Sequence, residues 1–223
     1  MCGRYSWKKP GAKRFAKLTE KEPELNRPSF NRAPGQRQPA LTLREDSVRW
    51  DAMWWGRPPG EPASVRPLPI NARSETVDEK PTFRESFRNR RCLIPADGFY
   101  EWQIAGDEKY PHFIHLPDHP TFAIAGIWTN AMGSENAQGS FTILTQEAHP
   151  GLLSLHHRMP VILEESSWEE WLEPSSPVDN LKEILARPGP EMIAYQVGKR
   201  VNSPQNDDPG LQDPFSERQG TLF

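Results

Sequence analysis

The sequence opens "MCGRY", placing one of its two cysteines at the second position. A chain terminus is normally mobile and loosely packed, so core filling does not account for a thiol there. Three readings stand: an accident of a frayed terminus, a small buried residue if the N-terminus is tied down as a strand, or a nucleophile. In the third, Met1 is removed because its successor is small, and Cys2 then carries a free α-amine beside its thiol, a 1,2-aminothiol. "GFYEW" sets Glu101 between two aromatics in an extended stretch, with Phe99, Glu101 and Gln103 on one face and Tyr100 and Trp102 on the other. Such a glutamate either faces solvent or is buried beside aromatics, where a raised pKa lets it shuttle a proton near neutrality. In "SLHHRMP", His156, His157 and Arg158 precede a strand, either as an acid–base histidine beside a phosphate-binding arginine or as solvated surface groups. "PINARSET" holds Asn71 and Arg73 two residues apart, on one face if extended. An amide beside a guanidinium suits a phosphodiester or a carboxylate, and the same residue types also build ordinary turns.

Other patterns carry less. "HFIHLPDH" brings His112, His115 and His119 together in sequence. Strand positions three apart point to opposite faces, and "PD" turns the chain before His119, so surface or strand-packing histidines are expected. Cys2 and Cys92 have no CxxC pair and no neighbouring Cys/His pair, which supports neither a disulfide framework nor a cysteine-based zinc site. No metal and no cofactor is expected. The formal net charge of -3 argues against indiscriminate coating of nucleic acid. That average hides +8 over residues 1–100 and -11 over residues 101–223. An anionic ligand would favour the first half, or the two halves neutralise one another in the fold. No run approaches the roughly 18 apolar residues of a membrane span, and the N-terminus lacks the apolar stretch of a signal peptide, so a soluble cytoplasmic protein is expected.

The elements that must position these residues are short. The 223 residues suit one domain, and 24 prolines with 15 glycines interrupt the chain too often for long helices. Helical patterns fall at "PGAKRFAKL", "PTFRESFRNR", "SSWEEWL" and "PVDNLKEILAR". Extended stretches fall at "RCLIPADGFYEWQ", "YPHFIHL", "PTFAIAGIWTN", "SFTILTQ", "MPVIL" and "EMIAYQV", with "AGDEK" as a hairpin turn between the first two. The pattern predicts a single-domain α+β fold: a mixed, largely antiparallel sheet curled toward a barrel, with short peripheral helices. The domain is expected over residues 1–204, followed by a low-order tail over 205–223 that is rich in Pro, Asp and Gln.

Six ordered motifs give these separate readings a common frame. "CGRY", "NRAPG" from Asn31, "WWG" ending at Gly56, "NARSET" from Asn71, "RCLIPADGFYEW" from Arg91 and "HHRMP" from His156 resemble the pattern of the SRAP family, the SOS response-associated peptidases or abasic-site processing proteins. The resemblance runs over nearly the whole chain. It implies a covalent trap for abasic sites in single-stranded DNA, with Cys2 closing a thiazolidine on the open-chain aldehyde. It further implies Glu101 as the proton shuttle, His156 as an aid to proton transfer, and Asn71 as the residue that holds the sugar or the linkage. Arg4, Arg73 and Arg158 match positions that grip flanking phosphates, and Trp102 and Pro34 would border the bases. A monomer is expected. One departure stands out: relatives commonly carry aromatics after the W-G, whereas this chain reads "WGRPPGEPASVRPLP", which leaves preference for a particular DNA junction open. Two rival readings remain at this stage. One is an N-terminal-nucleophile cysteine peptidase or amidohydrolase, with the α-amine as base; the other is a noncatalytic single-strand-binding module.

Overall fold

The computed structural model describes residues 2–8, 13–25, 27–58, 69–117, 121–130 and 139–216. In chain order its strands and helices begin with β1 (Arg4–Trp7), β2 (Ser29–Arg32), β3 (Arg37–Arg44), β4 (Ser47–Trp55), β5 (Asn71–Arg73) and α1 (Pro81–Asn89). They continue with β6 (Arg91–Ala96), β7 (Gly98–Ala105), β8 (Glu108–His115), β9 (Phe122–Thr129), β10 (Ser140–Glu147), β11 (Arg158–Pro160) and β12 (Ile162–Leu163). The last are α2 (Trp168–Leu172), α3 (Val178–Ala186) and β13 (Ile193–Gln196).

Two sheets form. One runs β13-β8-β7-β1-β2, the other β11-β10-β4-β3-β6-β9-β12, with β5 added beside β10. Strand β10 pairs with both β4 and β9, so the path β10-β4-β3-β6-β9 returns on itself as a ring of paired strands. Most pairs are antiparallel; β10 runs parallel to β4 and to β5. The expected sheet-dominated α+β fold of one domain is therefore observed.

The strands of the ring are apolar on both faces, and the period of two divides them between two cores. Along β6, Cys92, Ile94 and Ala96 join Tyr5, Trp7, Phe99 and Ile114 of the first sheet, while Leu93 faces the other way. Along β10, Phe141 and Ile143 enter that inner core and Leu144 the outer one. The outer core is closed by the helices. Trp168, Trp171 and Leu172 of α2, at the predicted spacing, and Leu181, Ile184 and Leu185 of α3 pack there with Phe87 of α1.

The structure departs from the sequence reading at four places. "RCLIPADGFYEWQ" is not one strand: the chain changes sheets at Asp97, whose carboxylate accepts from Thr121 Oγ1 (2.6 Å) and from the Lys8 backbone N–H. Gly98 follows because a Cβ there would lie 2.3 Å from the Phe113 ring and 2.7 Å from the Ile114 carbonyl oxygen. "PGAKRFAKL" yields only a 3₁₀ turn at Lys13–Phe15 among the described residues, with Phe15 stacked on Trp168 (centroids 4.8 Å apart). The β3–β4 hairpin is an addition to the sequence reading. Its two-residue turn, Glu45–Asp46, takes φ of 48° and 62° without the usual glycine, and Pro39 lies inside β3, so neither turn chemistry nor strand propensity announces it. The fourth concerns residues 205–216, expected to be low in order. They cover the outer face of the first sheet: Leu211 is buried with Tyr100, Phe113, Val197 and Val201, and Tyr195 Oη donates to the Gln212 carbonyl (2.9 Å). Residues 217–223 of the expected tail lie outside the described residues.

Candidate functional site

Strand β1 carries the start of the chain into the interior. Its register, Arg4 opposite Tyr100 and Tyr5 opposite Phe99, continues by one step to set Gly3 opposite Glu101. Cys2, just before the strand, is 0% exposed and joins Tyr5 and Trp7 in the inner core; its Sγ lies 3.7 Å from the Arg4 carbonyl oxygen. This burial matches the second of the three readings of Cys2. Burial first, and then the Glu101 carboxylate, push the thiol pKa well up, so Cys2 is a thiol at neutral pH.

Three further elements converge on it. Strand β5, parallel to β10 with Asn71 opposite Ile143, aims Asn71 Nδ2 at the Cys2 carbonyl oxygen (2.8 Å). Asn71 Oδ1 is buried without a hydrogen-bond partner among the described residues, an acceptor held ready for a donor. Glu101, on the inner face of β7, is 4% exposed. His156 precedes β11, where its Nδ1 lies 2.9 Å from the Arg158 backbone N and 3.2 Å from the Arg158 carbonyl oxygen. Its pKa is lowered by burial, with the Glu101 carboxylate opposing, which places His156 in the field of the same carboxylate as Cys2. Cys2, Asn71, Glu101 and His156 thus form one cluster drawn from four separate segments.

The expected phosphate and base contacts are distributed differently. Arg73 is exposed on β5, opposite Thr145 of β10. Arg158 flanks the other side of β10, opposite Glu147, and its guanidinium is held by Glu75 (Nη1–Oε1 2.6 Å, Nη2–Oε2 2.8 Å) and by the Thr145 carbonyl (2.5 Å). Glu75 is pulled below the ordinary carboxylate range by that bond. Arg4 turns to the outer face, donating to Asn31 Oδ1 (2.9 Å) and to the Val201 and Asn202 carbonyls (2.6 and 2.9 Å). Trp102 joins it there, its Nε1 donating to Asn202 Oδ1 (2.8 Å). Pro34 is half-buried in the turn between β2 and β3. The sequence reading missed Glu75, Asn31 and Asn202 as partners of these arginines and of Trp102. Glu75 and Asn31 lie in quoted motifs and Asn202 lies outside them, and only the fold pairs them. Met1 and most of the divergent segment after Gly56, residues 59–68, lie outside the described residues. Among the described residues no group of His, Cys, Asp and Glu is arranged to hold a metal ion.

The molecule is a sheet-dominated α+β protein that gathers a buried near-terminal cysteine, an asparagine, a carboxylate and a histidine where its two sheets meet. The chain belongs to the SOS response associated peptidase (SRAP) family, whose sequence model matches residues 1–204. It is 38% identical over 194 residues to the abasic site processing protein YoqW of Bacillus subtilis (strain 168), covering 82% of this chain and 85% of that one. The abasic site processing protein YedK of Escherichia coli (strain K12) is 29% identical over 225 residues, covering 96% and 100%. A crystal structure of a protein from Bacteroides thetaiotaomicron superposes with a TM-score of 0.80 at 26% identity, covering 96% of this chain and 100% of that chain.

Proposed function

We propose that this protein processes abasic sites in DNA, and that it captures the ring-opened aldehyde of an abasic site in single-stranded DNA through Cys2 as a thiazolidine. The observation that carries this reading is the cluster of Cys2, Asn71, Glu101 and His156, in a chain whose curated relatives are named abasic site processing proteins. With Met1 removed, the Cys2 α-amine adds to the C1′ aldehyde carbon. Glu101 donates a proton as the carbinolamine loses water, leaving an imine. The thiol then adds to the imine carbon, its proton passing to the nitrogen, and the five-membered ring closes with one water released overall. Having amine and thiol on one residue removes most of the entropic cost of the second addition. Asn71 holds the linkage, His156 moves protons during imine formation and reversal, and Arg73, Arg158 and Arg4 attract the flanking phosphates. Trp102 and Pro34 border the bases, and the protein acts as a monomer.

The raised thiol pKa supports the amine-first order, in which the neutral amine and not a thiolate makes the first bond. Intact-mass spectrometry after mixing with an abasic-site oligonucleotide is expected to give a species of summed mass less one water, from protein lacking Met1. Cys2→Ser keeps the amine but offers a poorer second nucleophile, so it should yield an imine that borohydride traps and little heat-stable adduct. The wild-type yield should not depend on the reductant. Retention of Met1 in reactive protein, or a stable adduct formed by Cys2→Ser at the wild-type rate, overturns the mechanism.

A further inference from the structure

The cluster around Cys2 leaves a second polar cavity unused. It has a volume of about 350 Å³ and lies where β2, β3 and the end of β4 meet, lined by Arg27, Arg32, Arg37, Gln36, Gln38 and Trp54. That volume falls in the range of roughly 300–1,000 Å³ typical of small-molecule sites. Arg32 occupies the open position of the N-x-A-P-G motif and is only 4% exposed. A buried guanidinium normally requires a carboxylate. Here its hydrogen-bond partners are neutral: Nη1 donates to Gln38 Oε1 and Nη2 to the Arg27 carbonyl (3.1 Å).

The second amide keeps this arrangement fixed. Gln38 Nε2 donates to Gln36 Oε1 (3.1 Å), which also accepts the Ala33 backbone N–H (3.1 Å). The network itself brings no negative charge to Arg32, which lies in the field of the Asp207 and Asp97 carboxylates with its guanidinium 5.6 Å from the centre of the Trp7 ring. The Nε atoms of both Arg32 and Arg37 are buried with no hydrogen-bond partner among the described residues. Among the described residues Asp207 is the one carboxylate lining the cavity, and it already accepts from Ser29 Oγ (3.2 Å) and from the Phe30 and Asn31 backbone N–H groups (2.5 and 3.1 Å). Arg37 and Trp54 are cross-strand partners, so a cation and an aromatic face stand side by side on one face of the sheet.

We propose that this cavity is a binding site for the phosphate of a nucleotide, with Arg32 and Arg37 gripping the phosphate and Trp54 offering a face to the base. Guanidinium forks match phosphate oxygens, and an indole stacks on any base. Arg32 is opposite Tyr5, three residues beyond Cys2, or about 10 Å along β1 at strand rise. The phosphate therefore belongs either to a DNA strand that continues past Cys2 or to a free nucleotide.

Calorimetric titration of the full chain with inorganic phosphate and with dAMP, followed by competition with an undamaged oligothymidylate, tests the site and its source. Saturable binding of both small anions is expected, weakened about ten-fold or more in Arg37→Gln and in Arg32→Gln by the loss of charge-assisted hydrogen bonds. Arg37 is only half-buried, so its variant should fold even if Arg32→Gln does not. If the oligonucleotide displaces phosphate, the site reads the DNA strand; if both bind together, it takes a free nucleotide, and either result supports the pocket. No phosphate binding up to about 10 mM, weaker than any useful affinity, overturns the proposal. So does equal binding by wild type and Arg37→Gln. Cys2→Ala should bind phosphate as the wild type does, so failure of the thiazolidine reading would leave this result standing.

Discussion

At the scale of single residues, the cluster separates two kinds of contribution. Glu101 is buried and central, and Glu101→Gln keeps its shape while removing the titrating proton. Adduct formation in a single-turnover gel assay should slow by roughly 10²–10⁴-fold, the usual loss of a general acid–base, with binding of undamaged DNA little changed. His156 answers to pH. Its folded pKa lies below the ordinary 6.5 because burial opposes its charged form, so the folded protein binds fewer protons than the unfolded chain just below that value. His156 therefore contributes stability above about pH 6.5 that is lost as pH falls through its lowered folded value. Urea melts of His156→Gln should show a shallower loss of stability than wild type between about pH 7 and pH 5. Residue types with chemistry in them were legible in the sequence. Their partners were not: nothing in "NARSET" says that Glu75 occupies the guanidinium of Arg158, because a sequence separation of 83 closes only when β5 and β11 both dock on β10.

Among the elements, strands with two buried faces were readable as short continuous apolar runs, and α1, α2 and α3 by apolar residues recurring at the helical period. The β3–β4 hairpin was hidden by a turn without glycine and a proline within a strand, where tertiary pairing overrides local preference. Arg91 shows how the elements are locked together. It is 2% exposed, and its guanidinium donates to the Trp171 and Glu173 carbonyls at the end of α2 and to the Phe87 (2.7 Å) and Arg88 carbonyls at the end of α1. Burial lowers its pKa to about 10, still fully charged at neutral pH, and that charge satisfies carbonyls that two helix ends leave open. Arg91→Met fills much of the volume but strands those carbonyls. A loss of about 2–4 kcal/mol in equilibrium unfolding is expected, with the Cys2 cluster, which Arg91 does not touch, still reactive in the folded fraction.

At the scale of the whole molecule, the C-terminal segment links stability to Arg4, one of the arginines proposed to grip phosphate. Composition alone marked residues 205–223 as loosely ordered, because few aliphatics and many Asp, Gln and Pro cannot build a core by themselves. They need not build one: residues 205–216 complete a core whose other half is the outer face of the first sheet. Asp207 fastens β2 by accepting from Ser29, Phe30 and Asn31, and Asn31 in turn donates to the Val201, Ser203 and Asn206 carbonyls while accepting from Arg4. Ending the chain after Pro204, where the family match ends, would remove Asp207 and Leu211 together. The lost apolar burial of Leu211 amounts to about 2–3 kcal/mol, and the lost charge-assisted hydrogen bonds of Asp207 to a similar amount. At about 2–4 °C per kcal/mol for a chain of this size, the melting temperature should fall by roughly 8–24 °C. Leu211→Ala isolates the packing part and should cost about 2–4 kcal/mol without loosening Arg4. Asp207→Ala isolates the other part. It frees the Asn31 backbone that orients Arg4, so it should weaken binding of single-stranded DNA as well as stability, and the two variants compared by thermal melts and by DNA titration distinguish a structural cap from a segment that also sets the phosphate grip. Equal DNA affinity in Asp207→Ala and wild type would confine the segment to stability alone.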